Sequence, residues 1–193
     1  MPRLVHLVRH GQSTFNAHYS ATGIDPIHFD ARLTELGRRQ VAEAREQLAT
    51  YDYDVVLVSP LTRAIQTAEG IFGGRAPLEI TPLHREWQVS SCDIGRSTAE
   101  LVEEFPHLNF GGLPDPWWLH DGPPCELGFP QETEEHLGER LAAFRAMILD
   151  RPEQRIAAVG HGDFFSRLVG RHQQNCEMSE WNPEDPRMPR HLR

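Results

Sequence analysis

The chain has 193 residues, 39% of them hydrophobic and 24% charged, and its formal net charge is −9. This length and composition suit one globular domain with a full-sized core, and no apolar run reaches the roughly 18 residues that a membrane span needs. The acidic balance disfavours nucleic acid as a partner, because phosphate backbones bind basic surfaces. The N-terminal stretch MPRLVHLVRH lacks a signal-type apolar segment, which predicts a cytoplasmic protein.

Two residue types narrow the possible chemistry. The three cysteines, Cys92, Cys125 and Cys176, are far apart, so we expect neither a disulfide framework nor a CxxC metal or redox motif. All 19 basic residues are arginine, which excludes a Schiff-base lysine and a P-loop lysine. Arginine is therefore the only permanently charged side chain that can bind an anion here, and its planar fork suits phosphate oxygens.

Apolar strands and amphipathic helices alternate along the chain. A buried strand is predicted at 3–9 and a helix at 33–50, with Thr34 as its N-cap. The later elements are a strand at 54–59, a helix at 61–72, a strand at 77–83, helices at 97–105 and 132–150, a strand at 155–160, a helix at 163–173 and a last strand at 175–181. This alternation predicts an α/β fold, a three-layer sandwich with a mostly parallel central sheet flanked by helices.

The domain organisation is expected to be simple. Residues 1–182 should form one domain, and no internal repeat is visible. Residues 106–131 are rich in proline, glycine and tryptophan without a clear period, so we expect about 88–131 to be an inserted loop or lid. The proline-punctuated residues 183–193 are expected to form a loose tail.

Polar side chains follow four of the predicted strands. The four junctions read Arg9-His10-Gly11, Ser59-Pro60 with Arg63 in the next helical turn, His84-Arg85-Glu86-Trp87, and Gly160-His161-Gly162-Asp163. Parallel strands place these junctions at one edge of the sheet, where ligands bind and where helix N-termini favour anions. We therefore expect two arginines, two histidines and a carboxylate to lie close together.

Such a group of side chains supports phosphoryl transfer. Arg9, Arg63 and one histidine can neutralise the phosphoryl oxygens in the transition state, and Asn16 can add a neutral donor. The other histidine, in its neutral form, can attack phosphorus and form a phosphohistidine. Spacing and composition do not decide whether His10 or His161 is the nucleophile.

The identity of the acid is also open from the residues alone. A protonated carboxyl can donate to the leaving oxygen, and Glu86, Asp93 and Asp163 are all candidates. A metal site built from His10, His161 and Asp163 is conceivable, but the arginines nearby disfavour it.

The motifs, taken in order, resemble one known family. RHGQSTFN, Thr22-Gly23, RLTELG, SPLTRAIQTA, HRE and VGHGDF are similar to the histidine phosphatase superfamily, in its phosphoglycerate mutase-like branch, over about residues 5–87 and 130–181. The resemblance implies that His10 is the nucleophile, that Glu86 is the proton donor and that no metal or organic cofactor is needed. It also implies a binding set for a small phosphorylated substrate, made of Arg9, Asn16, Thr22, Gly23, Arg63 and His161.

The segment 88–135 bears on the type of reaction. A mutase must hold a second phosphate while its substrate reorients, yet Arg96 is the only arginine of this segment, among many carboxylates. We therefore favour a metal-independent phosphomonoesterase with an acidic to neutral pH optimum. The alternatives are a phosphoglycerate mutase-type phosphotransferase and a non-catalytic phosphoester-binding regulatory module.

The leaving group is expected to be aromatic, apolar or cationic. The same part of the chain supplies aromatic side chains, some of which are candidates for a wall around that group and some for the core: Trp87, Phe105, Phe110, Trp117, Trp118 and Phe129. The physiological substrate and the oligomeric state are open at this stage.

Overall fold

The computed structural model describes residues 5–185. The strands are Val5–Arg9 (β1), Val55–Val58 (β2), Leu78–Ile80 (β3), Ile156–Gly160 (β4) and Met178–Trp181 (β5). The helices are Thr14–Thr22 (α1), Glu35–Gln47 (α2), Thr62–Phe72 (α3), Thr98–Glu104 (α4), Glu134–Asp150 (α5) and Gly162–Val169 (α6). Within residues 5–185, no helix combines the length and apolarity that crossing a bilayer requires.

The five strands form one sheet in the order β3-β2-β4-β1-β5. The first four are parallel to one another, and β5 pairs antiparallel with β1 at the edge. The register places Arg9 opposite Gly160, so the carboxyl ends of β1 and β4 are level. The mostly parallel sheet is confirmed, and it aligns the polar junctions at one edge.

Helices cover both faces of the sheet, which confirms the three-layer prediction. In β2, Val56 and Val58 pack in the cluster that contains α2 and α3, while Val55 and Leu57 pack in the cluster that contains α5 and α6. All four side chains are buried. Burial on both faces explains why β2 reads as a continuous apolar run rather than an alternating one.

Most predicted elements are present, with shifted ends. Thr34 is the N-cap of α2, and its hydroxyl accepts the N–H of Gly37 at 3.0 Å. The third strand is shorter than predicted because a 3-10 turn begins at Pro82, which has no N–H for the sheet. Helix α6 ends before Gly170, whose φ of 77° is the left-handed conformation that closes a helix.

The segment expected to be a lid is largely irregular. It contains a 3-10 turn at Ser91–Asp93 and helix α4, followed by loops. Its side chains Phe105, Phe110 and Trp117 are buried in the cluster on the α3 side of the sheet. The lid itself stays a prediction. Most of the predicted tail, 183–193, lies outside the described residues.

Candidate active site

A cavity of about 300 Å³ opens at the carboxyl edge of the sheet. It brings together five of the predicted site residues: Arg9, His10, Asn16, Arg63 and Glu86. The rest of its lining comes from α1, the 89–93 loop and the α6 region: Phe15, Tyr19, Val89, Ser90, Cys92, Asp93, Gly162, Asp163 and His172. The strand junctions thus supply Arg9, His10, Arg63, Glu86 and Asp163 to the described lining, whereas His161 is not part of it.

His10, directly after β1, is buried and held in one tautomer. Its Nδ1 lies 2.7 Å from the carbonyl oxygen of Gly11, and because a carbonyl only accepts, Nδ1 carries the hydrogen. The lone pair is then on Nε2, which accepts from Arg63 Nε at 3.2 Å. Burial, followed by the charges of Arg63 and Arg9, holds the pKa of His10 well below its usual value. The imidazole is therefore neutral at neutral pH.

His161 lies beside His10, and their ring centroids are 5.2 Å apart. It is the N-cap residue of α6, and its Nε2 is 2.8 Å from the hydroxyl oxygen of Ser59 at the end of β2. Its buried Nδ1 makes no hydrogen bond to the residues that the structure describes. Burial and the charge of Arg63 lower the pKa of His161, so this ring is also neutral.

The guanidinium of Arg9 has a hydrogen-bond donor that is available to a ligand. Its Nη1 donates to the carbonyl of Gln173 at 2.6 Å, while its buried Nε has no partner among the described residues. A Cβ at Gly162 would lie 3.1 Å from both Cζ and Nε of Arg9. Gly162, the second glycine of the GHG motif, thus allows the first turn of α6 to pack against the guanidinium of Arg9.

Arg63, in the first turn of α3, is buried and fixed from three sides. Besides His10, its Nη1 donates to the carbonyl of Cys92 at 2.5 Å and its Nη2 to Asp93 Oδ1 at 3.0 Å. From the sequence, Asp93 is only an alternative candidate for the acid. Its pairing with Arg63 was not predicted, because Asp93 is brought to the cavity by a loop rather than by a strand end.

Glu86 is half-buried, and its carboxyl oxygens accept backbone N–H groups. Oε1 accepts from Trp87 at 3.0 Å and Phe164 at 2.9 Å, and Oε2 accepts from Asp163 at 3.2 Å. Burial, followed by the charges of Asp163 and Asp93, raises the pKa of Glu86 to about 8. The carboxyl therefore carries a proton through most of the neutral range.

Three of the predicted binding residues are less well placed to contact a ligand in the cavity. Asn16 lines the cavity, but its side-chain oxygen accepts the N–H of Ser13 in a capping box, so its amide nitrogen is the group it can offer a ligand. Thr22 and Gly23 lie at the exposed C-terminal end of α1 and are not part of the described cavity lining. The structure therefore does not bring these two to the site.

The aromatic wall comes from a different element than expected. The candidates from Trp87 to Phe129 do not line this cavity, and the expectation is wrong in that respect. Its aromatic lining is Phe15 and Tyr19 of α1, whose rings stack with centroids 5.4 Å apart. The spacing of four residues between them was the available signal, since such residues share one helix face.

Arg96, the only arginine of the segment 88–135, faces away from the cavity lining. Its Nε is 2.7 Å from Asp30 Oδ2 and its Nη1 is 2.9 Å from Glu104 Oε2. Both contacts are ion pairs that occupy the guanidinium. Arg96 is therefore not a partner for a second phosphate in this arrangement.

The fold and the cavity together define an α/β protein with a cavity at the carboxyl edge of its sheet, lined by Arg9, His10 and Arg63. The chain belongs to the histidine phosphatase superfamily (branch 1), which it matches over residues 5–184.

Relatives and solved structures agree with this membership. A phosphoglycerate mutase-like protein of Arabidopsis thaliana is 29% identical, over 90% of this chain and 76% of the relative. A 2,3-bisphosphoglycerate-dependent phosphoglycerate mutase of Staphylococcus haemolyticus is 33% identical, over 78% of this chain and 62% of the relative. The structure of a putative alpha-ribazole-5'-P phosphatase from Escherichia coli shares the fold, with a TM-score of 0.66, 20% identity and coverage of 93% and 90% of the two chains.

Proposed function

We propose that this protein is a metal-independent phosphomonoesterase that acts through a phosphohistidine on a small phosphorylated molecule. One observation carries the proposal: a neutral His10, whose lone pair is on Nε2 beside Arg63 and near the charge of Arg9, shares a cavity with a Glu86 carboxyl that keeps its proton. A nucleophile, cations for the phosphoryl oxygens and an acid for the leaving group are the parts that this chemistry needs.

In the first step, a phosphoryl oxygen replaces His10 Nε2 as the acceptor of the Arg63 Nε–H group. The released lone pair of Nε2 attacks phosphorus, and the bond from phosphorus to the ester oxygen breaks. Arg9 and Arg63 bind the phosphoryl oxygens, where negative charge is concentrated. The leaving oxygen takes the proton of Glu86 and departs as an alcohol. Glu86 Oε2 suits this role because it accepts a single, longer N–H bond, whereas Oε1 accepts two.

In the second step, the Glu86 carboxylate takes a proton from a water molecule while the water oxygen attacks phosphorus. The bond between phosphorus and His10 Nε2 breaks, and inorganic phosphate leaves. Glu86 is protonated again and His10 is neutral again, so the cycle closes without another reactant.

Hydrolysis is favoured over the mutase reaction by the charges at the cavity. Within the described lining, the arginines of the cavity are Arg9 and Arg63, and both lie near His10. The mouth carries Asp163, which lies 3.6 Å from His172, and the ring of Tyr19. A second phosphate would meet a carboxylate there, whereas an uncharged or cationic leaving group would not. Because one of the relatives is named as a phosphoglycerate mutase, interconversion of phosphoglycerates is the second candidate function.

The decisive test is hydrolysis of p-nitrophenyl phosphate in the presence of EDTA. We expect the wild type to be active and His10→Ala to lose activity by about a thousandfold or more, as when a nucleophile is removed. His120→Ala is the matched control, because this half-exposed histidine lies outside the described cavity lining.

The outcomes separate the candidate functions. Equal rates in wild type and His10→Ala would contradict the mechanism. Conversion of 3-phosphoglycerate that depends on 2,3-bisphosphoglycerate, without release of phosphate, would favour the mutase. Binding of phosphate esters without turnover would favour the regulatory module.

A further inference from the structure

Asp93 is a buried carboxylate at the wall of the cavity, and the mechanism above does not use it. It is 3% exposed. Its Oδ1 pairs with Arg63 Nη2 at 3.0 Å, and its Oδ2 accepts the N–H groups of Val89 at 3.2 Å and Ser90 at 3.0 Å. One oxygen of the Asp93 carboxylate thus binds Arg63, and the other binds backbone N–H groups of the loop that carries Asp93.

This geometry fixes the plane of the Arg63 guanidinium. The Cys92 carbonyl accepts from Nη1 and the Asp93 carboxylate from Nη2, which leaves Nε directed at His10 Nε2. Without the carboxylate, the guanidinium would keep two neutral acceptors and could rotate away from the nucleophile. A displacement of about 1 Å in such a group can cost a hundredfold in rate.

The same carboxylate acts on Glu86. Asp163 and Asp93 are the acidic neighbours that help to raise the pKa of Glu86. Burial raises the pKa of Asp93, and the charge of Arg63 and the backbone N–H groups of Ser90 and Val89 oppose this rise without cancelling it. The ion pair with Arg63 is the geometric reason for a charged carboxylate at this position. The other charged or titratable groups near Glu86 are Arg63, the thiol of Cys92, and Arg140, which donates to the Glu86 carbonyl.

We infer that Asp93 is a positioning residue for both ends of the phosphoryl-transfer path: it holds Arg63 against the nucleophile and places a negative charge near the proton donor. The kinetic part of this inference rests on the proposed phosphomonoesterase activity. The structural part, the effect of Asp93 on Arg63 and Glu86, does not.

The first test compares Asp93→Asn with Asp52→Asn, a matched change at a side chain that is 85% exposed. We expect kcat on p-nitrophenyl phosphate to fall by about 10- to 100-fold in Asp93→Asn only. The Kd of inorganic phosphate, measured by calorimetry, should change much less than kcat, because the loss of a negative charge at the site opposes the poorer placement of Arg63. A merely structural defect would weaken phosphate binding and lower the unfolding temperature along with kcat.

The second test is the pH profile of kcat/KM on an alkyl phosphate, whose leaving group needs the Glu86 proton. Removing the charge of Asp93 lets Glu86 lose its proton more easily, so the alkaline limb should move toward acid by about one pH unit. Asp163→Asn should move the same limb while its rate on p-nitrophenyl phosphate at acidic pH falls much less, since its contacts do not include Arg63.

A further variant keeps the inference testable if Asp93→Asn does not fold. Asp93→Glu retains the charge but displaces the carboxylate, so we expect the alkaline limb to stay while kcat still falls. A wild-type kcat in both Asp93 variants would overturn the inference.

A readout that needs no turnover separates this inference from the proposed function. The Glu86 carboxyl can be titrated by ¹³C NMR in the wild type and in Asp93→Asn, with its signal assigned through Glu86→Gln. A lowered pKa in Asp93→Asn supports the inference even if no phosphate ester is hydrolysed. An unmoved titration would overturn it even if the protein is an active phosphatase.

Discussion

His10 and Glu86 show how burial in one cavity can favour the reactive protonation states of both a nucleophile and an acid. Burial disfavours whichever form is charged, so it lowers the pKa of an imidazole and raises that of a carboxyl. The pKa of His10 falls well below its usual value, and that of Glu86 rises to about 8. The two groups are thus in their reactive forms, neutral imidazole and protonated carboxyl, over the same pH range.

This pairing predicts the pH profile of the enzyme on an alkyl phosphate. Activity should form a plateau that extends below pH 6.5, because His10 stays neutral there, and should fall as the pH rises through about 8, where Glu86 loses its proton. Initial rates between pH 5 and pH 10 would check this. A rate that rises steadily through alkaline pH would contradict the assignment of Glu86 as the acid.

The loss of rate caused by replacing Glu86 should depend on the leaving group of the substrate. Glu86→Gln removes the proton donor while keeping the shape, so we expect about a hundredfold loss or more on an alkyl phosphate. On p-nitrophenyl phosphate, whose leaving group departs without a proton, kcat/KM should fall by less than about tenfold, because kcat/KM reports the first step and not the later water attack that also uses Glu86. The ratio of the two rates is the measurement, and equal losses on both substrates would argue against the role.

At the scale of elements, the strand junctions were the predictable part of the site. Arg9 ends β1, His10 follows it and His161 follows β4, and the parallel direction of these strands can be inferred from the alternation of apolar runs and helices. Helix α1 was not predicted, because Phe15 is its only buried residue and its pattern is weakly amphipathic. Asp93 reaches the cavity through a loop with no periodic pattern, so only the folded chain shows its contact with Arg63.

The segment that carries Glu86 is held to α5 by a buried group of charges. Glu132 accepts from Arg140 Nε and Nη2, both at 2.6 Å, and from Arg85 Nη2 at 3.3 Å. Arg140 also donates to the carbonyls of Leu83, Arg85 and Glu86. This cluster ties the loop after β3 to a helix on the sheet, and it therefore determines where Glu86 lies.

Removal of Glu132 should therefore destabilise the fold. Glu132→Ala leaves two buried arginines without their shared partner, and such a loss costs about 3–5 kcal/mol of unfolding free energy. Glu139→Ala, at an exposed position of α5, should change stability by less than about 0.5 kcal/mol. Urea denaturation of the three proteins gives the comparison, and a loss below about 1 kcal/mol for Glu132→Ala would contradict this role.

At the scale of the whole molecule, the buried titratable groups have opposite effects on stability. Burial lowers the pKa of His10, His84 and His161, so the unfolded chain binds more protons at these residues below pH 6.5, and acid destabilises the fold. Glu86 acts in the opposite sense, because its pKa rises from 4.5 to about 8 and its stabilising protonation is lost as the pH rises. The two effects together favour maximal stability between about pH 6 and pH 7.

Acid should therefore destabilise the protein. Between about pH 6 and pH 5, unfolding takes up protons at His10, His84 and His161 and releases one at Glu86, so the net uptake makes stability fall as the pH falls. Urea denaturation followed by tryptophan fluorescence at pH 5, 6, 7 and 8.5 measures this curve. Glu86→Gln should stabilise the protein at pH 8.5 relative to the wild type, because the neutral amide avoids burying a carboxylate. A stability that does not change between pH 7 and pH 5 would show that these histidines are not held neutral in the folded chain.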